Sequence, residues 1–128
     1  MKTKSRVKVH LKVTAVLFNE GGQGFLGSGH YMLLSRIASS HSISEAAREM
    51  GMSYSKAHRL IRTLEKNTGR QILVTHIGGM ERGGAELTPF ARTLIAAYEQ
   101  FLKEVQEDAL KRFRSLEKLL NAERQEEV

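Results

Sequence analysis

Positively charged side chains recur on one side of a short segment in the middle of the chain. If this segment is an α-helix, with about 100° between successive residues, that side carries Ser55, Arg59, Arg62 and Lys66, with Lys56 and His58 at its flanks. Cationic groups neutralise DNA phosphates, and guanidinium groups also bind guanine edges. We expect Ser55 and Arg59 to contact base edges, and Arg62 and Lys66 to contact phosphates. A solvated polar face is the alternative, but such a face usually mixes charge signs, and here only Glu65 is acidic.

The flanking residues predict a helix-turn-helix that would position this face. Ser42 and Glu45 have the spacing of a capping box, which begins a helix. Gly51 follows that helix, where a left-handed backbone conformation costs glycine least. Ser53 can cap the second helix, residues 54–67, which is the predicted recognition helix for the DNA major groove. The apolar sides of the two helices would consist of Ala46, Ala47 and Met50 in the first, and Ala57, Leu60, Ile61 and Leu64 in the second.

A glycine-rich segment follows the predicted recognition helix. Residues 72–77 are apolar and β-branched enough for a strand, residues 85–87 are expected to pair back, and residues 78–84 form the tip. A hairpin at this place is the wing of a winged helix-turn-helix, and we expect Arg82 at its tip to contact a phosphate. The alternative, a nucleotide-binding loop, is disfavoured because the tip has no lysine followed by serine or threonine.

The N-terminal part of the chain alternates apolar and polar residues, which is the period of a half-buried strand. The alternation runs over residues 7–18, residues 19–22 read as a turn, and residues 23–26 are expected to return as a second strand. His30 to Ala38 then predicts a helix that completes a three-helix core. The inward residues of that helix would be Tyr31, Leu33, Leu34 and Ile37.

The C-terminal part of the chain predicts one long helix. Thr88 can cap it and Pro89 suits its first position. About 35 helical residues would span on the order of 50 Å, and the core of a small domain cannot cover the apolar stripe much beyond Phe101. A second copy of the same helix is the expected partner. The stripe consists of Phe90, Leu94, Ala97, Phe101, Val105, Ala109, Phe113, Leu116 and Leu120.

These elements predict a mainly α fold with small β elements. We divide the chain into a winged helix-turn-helix DNA-binding domain with an N-terminal β-hairpin, residues 1–88, and a dimerisation helix, residues 89–128. The formal net charge is +6; residues 29–88 carry eight basic side chains against five acidic ones, and residues 89–128 carry seven against eight. The excess of positive charge on the helix-turn-helix part favours a polyanionic partner.

Composition excludes several classes of protein. No cysteine is present, which rules out disulfides and thiolate metal sites and fits a cytoplasmic location. No apolar run approaches the length of a membrane span. The five histidines are dispersed without metal-ligand spacing, and no serine lies in a nucleophile elbow. We therefore expect no catalysis, no cofactor and no bound metal. An interaction adaptor is the alternative to a DNA-binding regulator, because Leu116, Leu119 and Leu120 would suit a heterologous partner as well as a dimer.

Several stretches resemble the N-terminal DNA-binding domain of the molybdate-responsive ModE regulators over roughly residues 7–105. The matching stretches are residues 25–29 with Leu33-Leu34, Ser42-Ile43-Ser44 with Ala46-Ala47, residues 52–57, and residues 83–88. The capping box and alanine pair are shared with LysR-type regulators, whose winged domain is similar. The LysR type is the second choice, because its pattern has no place for the N-terminal strand pair.

The resemblance implies a winged helix-turn-helix protein that binds an inverted-repeat operator as a homodimer. Carried over by position, Ser53, Tyr54, Ser55 and Lys56 would open the recognition helix at the groove. His58 stands where the family usually has tryptophan, and His76 where a wing arginine is common, so base preference is expected to differ. The full regulators continue into an oxyanion-binding region that this sequence lacks; a response to molybdate would then require a separate effector-sensing protein.

Overall fold

The computed structural model describes residues 6–76 and 84–122, and within them four helices and two strand pairs follow one another. The elements in chain order are β1 (Leu17–Phe18), β2 (Gly24–Leu26), α1 (Ser28–Ser40), α2 (Ile43–Glu49), α3 (Tyr54–Thr68), β3 (Leu73–Thr75), β4 (Ala85–Leu87) and α4 (Pro89–Leu120). This is the predicted mainly α winged helix-turn-helix with a long C-terminal helix.

Hydroxyl caps begin α2 and α3 where the sequence predicts them. Ser42 Oγ accepts from the Glu45 N–H at 3.1 Å, and Ser53 Oγ accepts from the Lys56 N–H at 3.1 Å. Gly51, in the turn between the helices, has a φ of 69°. The second half of the predicted capping box differs, since the Ser42 N–H donates to Ser40 Oγ at 3.3 Å in place of the Glu45 carboxylate.

Small side chains allow the three helices of the helix-turn-helix part to cross closely. Ala46, Ala47 and Ala57 are almost fully buried. Around them lie large apolar residues from α1, α3 and the loop that follows: Leu33, Leu34, Ile37, Ile61, Leu64 and Ile72. Tyr31, predicted to face inward, is only half-buried, because its ring packs on Tyr98 with centroids 5.6 Å apart and its hydroxyl bonds Glu99.

The wing strands form an antiparallel pair. Leu73 lies opposite Leu87 and Thr75 opposite Ala85, and the His76 N–H extends the ladder by donating to the Gly84 carbonyl at 2.8 Å. The first wing strand begins one residue after the predicted start at Ile72, whose carbonyl still accepts from the Thr88 N–H at 2.9 Å. Residue 77, the predicted end of this strand, lies outside the described residues. The tip between the strands, with Arg82, lies outside the described residues.

The predicted N-terminal strand over residues 7–18 is wrong for most of its length. Only Leu17–Phe18 pairs, because its partner β2 has just three residues. Residues 7–15 instead bond to side chains of α4 and of Asn121, which follows it. The Gln106 amide accepts from the Val13 N–H at 2.8 Å and donates to the Leu11 carbonyl at 2.7 Å. The predicted alternation of exposure is nevertheless present, with the odd-numbered residues 9–15 half-buried between exposed neighbours.

The long helix α4 packs on the core only near its beginning. It runs for 32 residues, and of these only Ala91 and Tyr98 are buried. Tyr98 donates its hydroxyl to the Ala15 carbonyl at 2.7 Å, and Asn121 Oδ1 accepts from the Val7 N–H at 2.7 Å. The N-terminal segment therefore accompanies α4 well beyond Phe101, farther than the sequence indicated. Large apolar side chains still remain exposed: Phe101, Leu110, Leu116, Leu119 and Leu120.

Candidate nucleic-acid interface

One face of α3 is buried and the opposite face carries the residues predicted to bind DNA. Ala57, Ile61 and Leu64 fix the buried face against the core. Seven of the predicted contact residues are exposed and His58 is half-buried. We call this set the recognition-helix surface; it consists of Ser53, Tyr54, Ser55, Lys56, His58, Arg59, Arg62 and Lys66. The structure thus brings together every predicted site residue except Arg82, which lies outside the described part of the chain.

The charge of this surface is not compensated locally. Within residues 6–76 and 84–122, none of the cations Lys56, Arg59, Arg62 and Lys66 forms a salt bridge. Glu65, the acidic residue of α3, turns its carboxylate to the loop after the helix, where it accepts from the Ile72 N–H at 3.0 Å. The recognition-helix surface therefore presents positive charge to solvent, as phosphate binding requires.

The N-terminal end of α3 suits an anion. A helix N-terminus carries unsatisfied N–H groups and a partial positive charge. Ser53 Oγ accepts one of these N–H groups as the cap, and its hydroxyl hydrogen is left to donate to a ligand oxygen. Ser53 thus has a structural role beside the predicted contact with DNA.

Two aromatic rings pack together in the first turns of α3. The Tyr54 and His58 ring centroids are 5.8 Å apart with the planes tilted by 35°, and Tyr54 is 52% exposed. The sequence singled out both residues by resemblance, but their pairing emerges only from the structure. Together they form a partly apolar surface that can contact a thymine methyl group or a deoxyribose.

Two residues near the end of α3 have roles that the sequence did not reveal. The Asn67 side-chain oxygen accepts from the Asn19 amide at 2.9 Å, and its own amide donates to the Thr63 carbonyl at 2.8 Å. The guanidinium of Arg70 lies 4.4 Å from the centre of the Phe90 ring, so this cation packs on α4. Asn19 was read only as part of a turn, and nothing in its spacing from Asn67 marks them as partners.

The wing carries a different group from the arginine common in the resembled family. His76 Nε2 lies 3.4 Å from a carboxylate oxygen of Glu86, and both side chains are more than half exposed. His76 thus lies beside the acidic Glu86, whereas the cations of the recognition-helix surface form no salt bridge within the described ranges. The base of the wing is a weaker candidate for phosphate binding than α3.

Groups on α1 and α4 have pKa values displaced from their ordinary ones. Burial lowers the pKa of His30. The hydrogen bond to Glu99 raises the pKa of Tyr31, and burial raises the pKa of Tyr98. In the described part of the chain, no group of three or more histidine or carboxylate side chains is arranged to hold a metal ion. None of the helices in the same ranges combines the length and apolarity that crossing a bilayer requires.

The helix-turn-helix part of the chain matches a known family over residues 29–92, half of the sequence. That family is described as bacterial regulatory helix-turn-helix protein, lysR family. The chain belongs to this family. The match begins in α1 and ends in the first turn of α4, so it contains the whole helix-turn-helix and both wing strands.

The curated proteins with sequences similar to this chain include ModE proteins and a MopB protein. The molybdenum-pterin-binding protein MopB of Rhodobacter capsulatus is 35% identical over 96 residues, which cover 75% of this chain and 34% of MopB. The transcriptional regulator ModE of Haemophilus influenzae is 32% identical over 85 residues, 66% of this chain and 33% of that protein. ModE of Escherichia coli, named a DNA-binding transcriptional dual regulator, is 35% identical over 77 residues, 60% of this chain and 29% of that protein.

These relatives confirm the resemblance to a ModE-like DNA-binding domain that the sequence suggested. The second choice also holds at the level of the family, since the family match is of the lysR type. The chain spans about a third of the length of the curated relatives it matches. The likeness therefore concerns the helix-turn-helix part and its flanks.

Proposed function

We propose that this chain regulates transcription by binding a specific site in double-stranded DNA, with α3 in the major groove. The observation that supports this most is the recognition-helix surface, where the cations Lys56, Arg59, Arg62 and Lys66 form no salt bridge with another described residue and the acid Glu65 points away. Family membership points the same way. A helix with this charge distribution, held by its other face on a rigid core, fits a groove lined by phosphates.

The residues of α3 divide by position along the helix. The N-terminal residues of a recognition helix lie deepest in the major groove, so Tyr54, Ser55 and Arg59 are assigned to base edges. Arg59 is the guanine reader, because a guanidinium donates to both acceptors of guanine. Arg62 and Lys66 are one and two turns farther along and are assigned to phosphates. Lys56, His58 and the cap Ser53 border the groove.

A homodimer is the proposed DNA-binding form, with an inverted repeat as its site. One recognition helix reads only a few base pairs, too few to define a unique genomic site, and two-fold symmetry doubles the length. The exposed apolar side chains of α4 supply the contact surface, among them Phe101 at 50% and Leu116 at 51% exposure. Burying each large apolar side chain contributes about 1.5–3 kcal/mol.

The remaining assignments follow from this function. We place the protein in the cytoplasm, where bacterial DNA is found, and assign it no catalytic role and no cofactor. Of the relatives, MopB is named for binding molybdenum-pterin. The matched part of that protein is only 34% of its length. A separate effector-sensing protein is a further proposed partner of this chain.

Selection of bound sites from a genomic fragment pool, followed by mobility shifts at rising salt, tests the proposal. We expect an inverted repeat to be enriched and to stay bound at salt concentrations that release random DNA. The alternative function, an interaction adaptor, is favoured by the 72% exposure of Leu119 near the end of α4. An adaptor would bind DNA only weakly and without preference for sequence. A selection that enriches no DNA motif would therefore favour the adaptor function.

A further inference from the structure

The N-terminal segment, residues 6–16, has one backbone edge bonded along α4 and one backbone edge without a partner among the described residues. Its bonds to α4 and to Asn121, the residue that follows α4, all involve odd-numbered residues: the N–H groups of Val7 and Val13 and the carbonyls of Leu11 and Ala15. In an extended chain, successive residues direct their backbone groups to opposite edges. The backbone groups of the even-numbered residues therefore point to the second edge. These residues, all exposed, are Lys8, His10, Lys12 and Thr14.

We propose that this second edge pairs with the same edge of a second copy, forming a two-stranded antiparallel ribbon across the dimer axis. The inference rests on the proposed homodimer and specifies a contact in it. A free edge takes an extended backbone as its partner, and a second copy offers an identical one through a two-fold, self-complementary contact. Because α4 occupies the other edge of each segment, pairing ends at two copies and does not propagate into a fibre.

The charges of the segment select the register. With Leu11 on the two-fold axis, Lys8 lies opposite Thr14, Val9 opposite Val13, and His10 opposite Lys12, so no lysine faces a lysine. Moving the axis to His10 puts Lys8 opposite Lys12, and moving it to Lys12 puts that lysine opposite its own copy. Like charges directly opposite each other destabilise a strand pair. The register centred on Leu11 avoids both clashes and pairs the whole of residues 7–15.

The same register continues the apolar side of the segment. Val9, Leu11 and Val13 are half-buried already in one copy. With Val9 of each copy facing Val13 of the other and the two Leu11 residues facing each other, they form one apolar row on a single face of the ribbon, while the cations occupy the other face. This arrangement matches the alternation of a half-buried strand, which the sequence predicts for residues 7–18 and which a single copy satisfies only in part.

Disulfide trapping tests the register, because the chain contains no cysteine. The two Leu11 residues would form a non-hydrogen-bonded antiparallel pair, in which the Cα atoms are about 4.5 Å apart. This distance lies inside the range of about 4.4–6.8 Å that a disulfide spans. Each of the variants Leu11→Cys, His10→Cys and Lys12→Cys is oxidised at a concentration where light scattering shows the dimer. We expect Leu11→Cys to crosslink at least on the order of tenfold faster than the other two.

A backbone test is independent of cysteine geometry. Lys12→Pro removes an N–H of the free edge and keeps an extended conformation, and Lys12→Ala removes the same side chain but keeps the N–H. We expect the proline variant to dimerise on the order of tenfold more weakly than the alanine variant, because two symmetric hydrogen bonds are lost. Circular dichroism checks that both variants fold.

The outcomes separate this inference from the homodimer itself. A dimer in which Leu11→Cys crosslinks no faster than its neighbours, and in which Lys12→Pro and Lys12→Ala dimerise equally, overturns the ribbon and leaves the homodimer standing. A protein that stays monomeric at every concentration that light scattering can follow overturns both.

Discussion

The side-chain amide of Asn19 donates to the side-chain oxygen of Asn67 at 2.9 Å, joining the turn between β1 and β2 to the last turn of the recognition helix. The two residues are 48 positions apart in the sequence. Asn67 in turn bonds the Thr63 carbonyl within α3. The N-terminal hairpin thus contacts the helix proposed to read DNA, and it also leads directly from the segment that lies along α4.

The coupling free energy between Asn19 and Asn67 can be measured by a double-mutant cycle. Asn19→Ala and Asn67→Ala each remove one partner, and we expect the pair to be coupled by about 0.5–1.5 kcal/mol in the free energy of unfolding, the usual contribution of a hydrogen bond. Urea unfolding of the two single variants and the double variant gives the coupling. Additive losses would show that the two side chains contribute independently.

Base reading is assigned to Arg59. Arg59→Ala is expected to weaken binding to the selected site by about 1–3 kcal/mol while leaving binding to random DNA almost unchanged, because only a base contact depends on sequence. Arg62→Ala, one turn farther along α3, is the matched control and is expected to weaken both. Equal losses on both kinds of DNA for Arg59→Ala would reassign this residue to a phosphate.

Phosphate contacts are assigned to Arg62 and Lys66. Each alanine variant is expected to make the dependence of log affinity on log salt shallower by about one unit, since one fewer counterion is released. Lys103→Ala on α4 removes a cation far along the chain from α3 and is expected to leave the slope unchanged. A slope unaltered in both α3 variants would contradict the proposed docking of the helix.

Dimerisation is assigned to the exposed apolar residues of α4. Leu116→Glu is expected to weaken self-association on the order of a hundredfold, because a buried leucine is lost on each side of the axis. Ser115→Glu adds the same charge at the adjacent exposed position and serves as the control. Light scattering measures both. An intact chain that is monomeric at micromolar concentration yet binds its site tightly would refute the assignment.

Truncation after Ala97 is also expected to yield a monomer or a weak dimer with little affinity for the DNA site. This variant lacks Gln106 and Asn121 as well, which bond the N-terminal segment. Its failure to dimerise would therefore have two causes, and the substitution at Leu116 isolates one of them.

His30 is expected to make the protein sensitive to acid. Its Nε2 is buried without a hydrogen-bond partner in the described part of the chain, and burial lowers its pKa from 6.5. The folded state thus binds a proton less readily than the unfolded state. The stability that follows from the neutral ring is fully present above pH 6.5 and is lost as the pH falls from that value through the lower pKa of the folded state.

His30→Leu removes this titration. Urea unfolding above and below pH 6.5 is expected to show the variant losing less stability on acidification than the parent chain. His41→Leu would be a poor control because His41 adopts a φ of 58°, so exposed His10→Gln is used instead. Equal acid sensitivity of the parent chain and His30→Leu would exclude this residue as the cause.

Local signals made the helical part of the fold predictable from sequence. Caps such as Ser53 and Thr88 act on N–H groups three residues away, and Gly51 occupies a conformation that its own type favours. The shared face of the candidate site residues was predictable for the same reason, because helical spacing fixes which side chains lie together; their contact with DNA stays a prediction. Side-chain contacts between residues distant in sequence were not predictable. Two examples are Gln106, which replaces a strand as the partner of residues 11 and 13, and Arg70, which packs on Phe90.

The bond between Val7 and Asn121 joins positions 114 residues apart. In a chain synthesised from its N-terminus, residues 6–16 emerge long before the helix that holds them. The helices α1 to α3 can fold through contacts that are close in sequence, whereas residues 6–16 must wait for the distal half of α4. We expect this segment to be the last part of the molecule to become ordered during folding, and its backbone hydrogen exchange to be protected latest in refolding.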